Sequence, residues 1–240
     1  MTAKGASGYA ASSVTSDVTL VSDADVTSFA VGNSIAKTVT VTYTAPAASG
    51  TGQNMPFTDV STGDWYYGSV YGAWKNKLIS GASETLYKPN NTLTVAETVK
   101  LSAALHQLQN NGQVTLTNGT PWYSTYVAYA VEHGIIEKEY LDYTPAQMHA
   151  PASRTEFVHI FFGAMNDYEV LNDIADDQIP DVKMGDKYAS EIYTFYRAGI
   201  LTGSGSSGVF NPSSTIKRSE AAAILNRMFD ASTRKSFTLS

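Results

Sequence analysis

The chain has 240 residues, 43% of them hydrophobic and 11% aromatic, enough to bury a core in one large or two ordinary domains. A formal charge of −6 with only 16% charged residues leaves no basic field for gathering nucleic acid, so any anion it binds is held locally. The absence of cysteine removes disulfide frameworks, thiolate zinc sites and cysteine nucleophiles, and no apolar run approaches the roughly 18 residues of a membrane span.

Residues 1–54 are rich in Ser, Thr, Ala, Gly and Val, with Leu20, Phe29 and Ile35 almost the only large apolar side chains. "MTAKGASGYA" lacks the apolar stretch of a signal peptide, so an exported protein would contain this chain as a piece with Met1 added. "KTVTVTYTA" alternates Val39, Val41 and Tyr43 against Thr38, Thr40, Thr42 and Thr44, and this period of two predicts a half-buried or edge strand. "APAASGTGQNMP" reads as a linker. The segment is expected to be an extended stalk or the stub of a β domain, with a binding module as the alternative.

The rest of the chain repeats itself. "DWYYGSVYGAWKNKLISG" from Asp64, "PWYSTYVAYAVEHGIIEK" from Pro121 and "DKYASEIYTFYRAGILTG" from Asp186 each set an aromatic before apolar residues at helical spacing. Val70, Trp74 and Leu78 share a face, as do Val127, Val131 and Ile135, and Ile192, Tyr196 and Ile200. Gly134 and Gly199 suit a left-handed helix end, where the first copy has Lys77. A second helix follows about 30 residues after each first one, in "LTVAETVKLSAAL", "ASRTEFVHIFFGA" and "IKRSEAAAILNRM". Val99, Ile160 and Ile224 are expected on these inner helices, all in one packed unit.

Thr94 with Glu97, and Ser153 with Glu156, fit a capping box in which hydroxyl and carboxylate satisfy orphan amides reciprocally. The third copy keeps Glu220 but has Lys217 at the cap and Arg218 after it. A missing cap costs about 1 kcal/mol, and a cation in the first turn is further repelled by the helix dipole. Folding does not ask for those cations, and alanine at Arg154 or Arg218 is expected to leave thermal stability nearly unchanged. The acidic stretch "NDIADDQIPDV" lacks the spacing of a calcium loop and reads as a solvated linker.

Together with "FTDV" at 57, "IPDV" at 179, "LISGASETLYKPNNTLTVAETVKL" and "GILTGSGSSGVFNPSSTIKRSEAAAIL", this pattern resembles the S-layer homology family over about three quarters of the chain. The second copy diverges: "EKEYLDYTPAQMHAPASRTEF" lacks the glycine loop but keeps Arg154 and Glu156. The resemblance implies a mainly α fold, three repeats in one pseudo-threefold helical unit preceded by the short β-prone segment. The expected divisions are a stalk or linker at 1–54 and repeats at 55–115, 116–178 and 179–240.

It also implies a function: non-covalent anchoring of a bacterial surface protein to the cell wall, through grooves that hold an acidic, often pyruvylated, secondary cell wall polysaccharide. The motif arginine would face a groove beside free helix-start amides, so Arg154 and Arg218, with Lys217 adjacent, are the expected anion contacts. Val95 stands at that position in the first copy, whose groove is therefore expected to lack the cation. Trp65 and Trp122 open the first helices, where either stacking on a sugar or anchoring the core would suit them; Lys187 replaces them in the third copy. Gly203 and Gly205, with Gly208, belong either to a connecting loop or to a backbone that approaches the sugar closely.

No cofactor, metal or catalytic set is implied. His106, His133, His149 and His159 fall in no zinc-protease pattern, and His159 in "EFVHIFF" reads as a satisfied structural histidine. A glycan-processing enzyme would need two carboxylates across a cleft, for which Glu97, Glu156 and Glu220 are the candidates, but their capping positions account for them. A protein–protein assembly module of a surface layer is the other alternative. The expected state is a monomeric three-repeat unit at the cell surface, with its cargo N-terminal to it.

Overall fold

The computed structural model describes residues 2–4, 10–15, 19–20, 26–30, 40–44, 55–165 and 167–239. The chain divides into two compact units, Met1–Asn54 and Met55–Ser240. In the first, strands β1 (Thr2–Lys4), β3 (Thr19–Leu20) and β4 (Val26–Ala30) form an antiparallel sheet in the order β1-β4-β3, and β2 (Ala10–Thr15) pairs antiparallel with β5 (Thr40–Thr44). The strand expected in "KTVTVTYTA" is β5; the linker expected after it lies, through residue 54, outside the described residues.

The second unit is mainly α. Three first helices, α1 (Tyr67–Lys75), α3 (Ser124–Glu132) and α6 (Ala189–Arg197), alternate with three second helices, α2 (Val95–Asn111), α5 (Arg154–Phe162) and α7 (Arg218–Phe229). Between α3 and α5 the chain makes a 3-10 turn at Lys138–Asp142 and a single helical turn, α4 (Pro145–Met148). Nine-residue helices such as α1, α3 and α6 are marginal in isolation, so their stability comes from the face each buries. Each second helix packs on the first helix of the next copy: α2 on α3, α5 on α6, and α7 back on α1. The arrangement is cyclic. Val99, Ile160 and Ile224 are buried on the second helices in one continuous core.

The closure of the ring is written in the backbone just before the second helices. Leu93 N–H donates to Ile216 O at 3.1 Å, Ile216 N–H to Ala152 O at 3.3 Å, and Ala152 N–H to Leu93 O at 2.9 Å. All three residues are buried, so each copy's orphan amide is satisfied by a neighbour's carbonyl and by nothing else nearby. The next amides repeat the pattern: Val95 to Ala150 O, Arg154 to Ser214 O and Arg218 to Asn91 O.

Helix ends follow the local chemistry. Gly134 and Gly199 take left-handed φ values of 67° and 69° after α3 and α6, and Lys77 is forced to the same 60° after α1. Thr94 and Glu97 form the expected reciprocal box. Ser153 accepts from Glu156 N–H, but the Glu156 carboxylate does not return the bond, which corrects that expectation. At α7 only the glutamate half exists, with Lys217 N–H donating to Glu220 Oε2 at 2.9 Å.

The acidic stretch between the second and third copies is more than a solvated linker. Asp181 accepts from Phe210 N–H and Asn211 N–H at 2.8 and 2.6 Å, and Asp59 of "FTDV" accepts in the same way from Tyr87 and Lys88 at 2.8 and 2.7 Å. Lys88 and Asn211 both have positive φ, 58° and 59°. The carboxylate holds a strained loop whose carbonyls the grooves then use. Among the described residues no helix is long and apolar enough to cross a membrane.

Candidate ligand grooves between the helix pairs

Three grooves open around the ring; the first two take residues from all three copies and the third from the second and third copies. The first, about 420 Å³, is walled by Ser80 and Gly81 of the first loop, by Glu97 and Lys100 of α2, by Trp122 at the start of α3, and by Arg218 at the start of α7. The second, about 230 Å³, repeats it one third of a turn away: Thr202 and Gly203, then Glu220 and Ala223, then Trp65, then Arg154. The third, about 540 Å³, has Glu137, Glu156, Lys187 and Tyr188 at the corresponding places, with Glu139, Tyr140 and Tyr143 beside them.

The two arginines are held alike. Arg218 Nε donates to Tyr87 O at 2.8 Å, Nη2 to Ser80 O at 2.9 Å, and the guanidinium lies 4.7 Å from the Tyr87 ring centre. Arg154 Nε donates to Phe210 O at 2.7 Å, Nη1 pairs with Glu220 Oε1 at 3.2 Å, and the guanidinium lies 5.2 Å from the Phe210 ring centre. The counterpart pair in the first groove is looser, 3.8 Å from Arg218 Nη1 to Glu97 Oε1. Each arginine therefore leaves its own helix start and clamps the loop of the next copy. Arg154 is only 9% exposed, so it belongs to the fold as well as to the groove wall.

This placement corrects the expected anion geometry. The first helix amides are not free. Arg154 N–H and Thr155 N–H donate to Ser214 O and Pro212 O, and Arg218 N–H and Ser219 N–H to Asn91 O and Pro89 O. What remains for a ligand is the guanidinium edge and the side chains around it.

The structure brings Arg218 together with Trp122, and Arg154 with Trp65 and Gly203. Trp65 is 67% exposed, which rules out the core-anchor reading for it, whereas Trp122 is half-buried against Lys100, whose Nζ lies 5.7 Å from the ring centre. Lys217 is exposed at the cap of α7 and Gly205 sits in a turn at φ 68°, and neither lines any of the three grooves. Gly203 has its own packing reason: a Cβ there would meet Gly208 O at 2.4 Å and the Tyr196 hydroxyl at 2.6 Å. Lys100, Ser80 and the loop-holding Asp59 were not singled out from the sequence, and Asp181 was read there only as part of a solvated linker. The helical position of Lys100, three after the motif Glu97, was the only available signal.

Because arginine crosses to the next copy, Val95 does not impoverish the groove walled by the first copy's loop, which holds Arg218. By the same cyclic relation Val95 stands where the third groove would have its arginine. That groove is acidic instead. Burial holds the Glu156 carboxyl above the usual carboxylate range. His159, 7% exposed, lies between Glu191 at 3.1 Å and Glu137 at 2.9 Å and stacks on Tyr188 at 3.6 Å. Burial pulls its imidazole down, but the two carboxylates outweigh that and raise it above the ordinary histidine value.

Residues 56–98 and 178–222 match the family model of the S-layer homology domain. These two segments are S-layer homology domains. Such domains anchor surface proteins to the cell wall. The exoglucanase XynX of Acetivibrio thermocellus is 25% identical over 189 residues, 75% of this chain and 17% of that protein. The amylopullulanase of Thermoanaerobacterium thermosulfurigenes is 27% identical over 164 residues, 65% of this chain and 8% of that protein. The chain thus spans less than a fifth of the length of either relative.

Proposed function

We propose that the helical unit is a non-covalent anchor for an acidic secondary cell wall polysaccharide, and that residues 116–178 are a divergent third S-layer homology repeat. The observation that carries the reading is the pair of equivalent grooves in which an arginine, a loop and an indole meet: Arg218 with Trp122, and Arg154 with Trp65. A guanidinium edge offers a carboxylate two parallel donors, and an indole offers a sugar ring a flat apolar face. The middle copy keeps the helix pair, the cyclic backbone bonds and the arginine, which supports counting it as a repeat.

The glycanase names of the two relatives attach to proteins of which this chain matches 17% and 8%. In the two arginine grooves the carboxylates already have partners: Glu220 pairs with Arg154 and with the α7 cap, and Glu97 closes the α2 cap. A binding module therefore fits better than a hydrolase, and no cofactor enters it. The site of action is the bacterial cell surface.

The third groove sets the stoichiometry. With Glu137, Glu139 and Glu156 around Lys187 and no arginine, it repels a carboxylate that the other two accept. Calorimetric titration with an acidic wall-polysaccharide fragment is expected to saturate at two equivalents. Three equal sites, or none, would contradict the assignment of the arginine grooves.

A further inference from the structure

Beyond the second groove lies a further cavity of about 440 Å³ that shares Trp65, Ala223 and Arg227 with it. Its other cations are Arg234 and Lys235, and no carboxylate lines it. In a chain of net charge −6, three cations around one cavity without an acid is a local concentration of positive charge. Among the described residues none of the three makes an ion pair. Arg227 donates to Ile200 O at 2.9 Å, and burial holds its guanidinium below the ordinary arginine value. A partly desolvated cation without a counter-charge is a site with unused binding capacity.

The cations are positioned by a strap, residues 231–239, fastened to Gly199 of the third copy and Asn172 of the second. Lys235 N–H donates to Gly199 O at 2.9 Å, and the buried Asn172 side chain donates to Lys235 O at 2.9 Å and accepts from Phe237 N–H at 2.8 Å. Arg234 Nε reaches Arg227 O at 3.3 Å. The opposite wall carries a glycine that packing does not explain. Gly72 lies close against the Asn226 side chain, whose Oδ1 a Cβ there would meet at 2.6 Å, but a Cβ on Gly68 would meet nothing within 4 Å. Inside α1, glycine at 68 weakens the helix and keeps the cavity open beside Trp65.

We propose that this strap cavity is a second anion subsite, continuous with the Arg154 groove across Trp65, which takes the next acidic group of the same polymer, a carboxylate or a phosphate. The proposal rests on the anchoring reading and adds to it that one groove reads two successive anions while the Arg218 groove reads one. The test uses wall-polysaccharide fragments carrying one or two acidic groups, prepared as a carboxylate-only set and a phosphate-containing set, titrated into the full chain. At one of its two sites the unaltered protein should bind the two-anion fragment about tenfold more tightly than the one-anion fragment, and the set that shows this gain identifies the anion. Lys235→Gln and Gly68→Gln should each abolish the gain, leave one-anion binding in place and not lower the melting temperature. Gly68→Gln meets no atom on its Cβ, so it separates a filled cavity from a damaged fold. A gain that persists in both variants, or is absent from the unaltered protein while one-anion fragments bind, overturns the subsite alone. Failure of every fragment to bind overturns the anchoring reading and this one with it.

Discussion

Arg154→Ala is expected to lower the stability of the helical unit by about 2–3 kcal/mol, a fall in melting temperature of roughly 5–10 °C for a unit of this size. The sequence alone makes this arginine dispensable to folding, since a cation in a first helical turn is repelled by the dipole. The structure reverses that expectation. The guanidinium is nearly buried, donates to Phe210 O at 2.7 Å, pairs with Glu220 at 3.2 Å and covers the Phe210 ring. Alanine would leave that carbonyl unpartnered at a junction between two copies. Glu220 is still about one third exposed and water can reach it, which keeps the figure below that of a fully buried pair. Arg154→Lys keeps the charge but not the planar fork and should recover only part of the loss. A melting temperature unchanged within about 1 °C for Arg154→Ala would show that the clamp contributes nothing to the fold.

Trp65→Ala should behave in the opposite way. With 67% of its surface exposed, the indole supports little of the core, and its removal should change stability by no more than about 0.5 kcal/mol. Binding is another matter, because a large aromatic beside a guanidinium is the usual kind of dominant contact, worth about 2 kcal/mol or more when truncated. Affinity at the Arg154 groove should fall by about thirtyfold. On a polymer the two arginine grooves act together, so weakening one also removes the advantage of joint attachment. Retention on isolated sacculi should therefore drop sharply although the Arg218 groove is intact. If Trp65→Ala melts early and binds normally per folded molecule, the indole is structural and the groove has been misread.

These two residues also show how far the sequence carries. The helix pairs were legible because each is a local pattern: aromatic, then apolar residues at three- and four-residue spacing, then Gly134, Gly199 or Lys77 at a left-handed end. The Thr94–Glu97 box was legible for the same reason, its partners being three residues apart. Arg154 was not, since its partners Phe210 and Glu220 lie 56 and 66 residues away and meet it only because the ring closes. The same closure moved the consequence of Val95 from the first copy's loop to the second's, and it consumed the helix-start amides that were expected to face the ligand. Glu156 shows a local pattern overridden: the capping spacing is present, but the carboxylate lines the acidic groove instead of returning to Ser153. Trp65 and Trp122 share a sequence position yet differ in burial, because Lys100 packs on one and Ala223 leaves the other open.

The most direct test of the account is co-sedimentation of the full chain with isolated Gram-positive sacculi, intact and after hydrofluoric acid has stripped the secondary polysaccharide from the peptidoglycan. Anchoring through the arginine grooves predicts that the protein pellets with intact sacculi, is released by added acidic polysaccharide, and stays in the supernatant with stripped ones. Equal pelleting on both would contradict it.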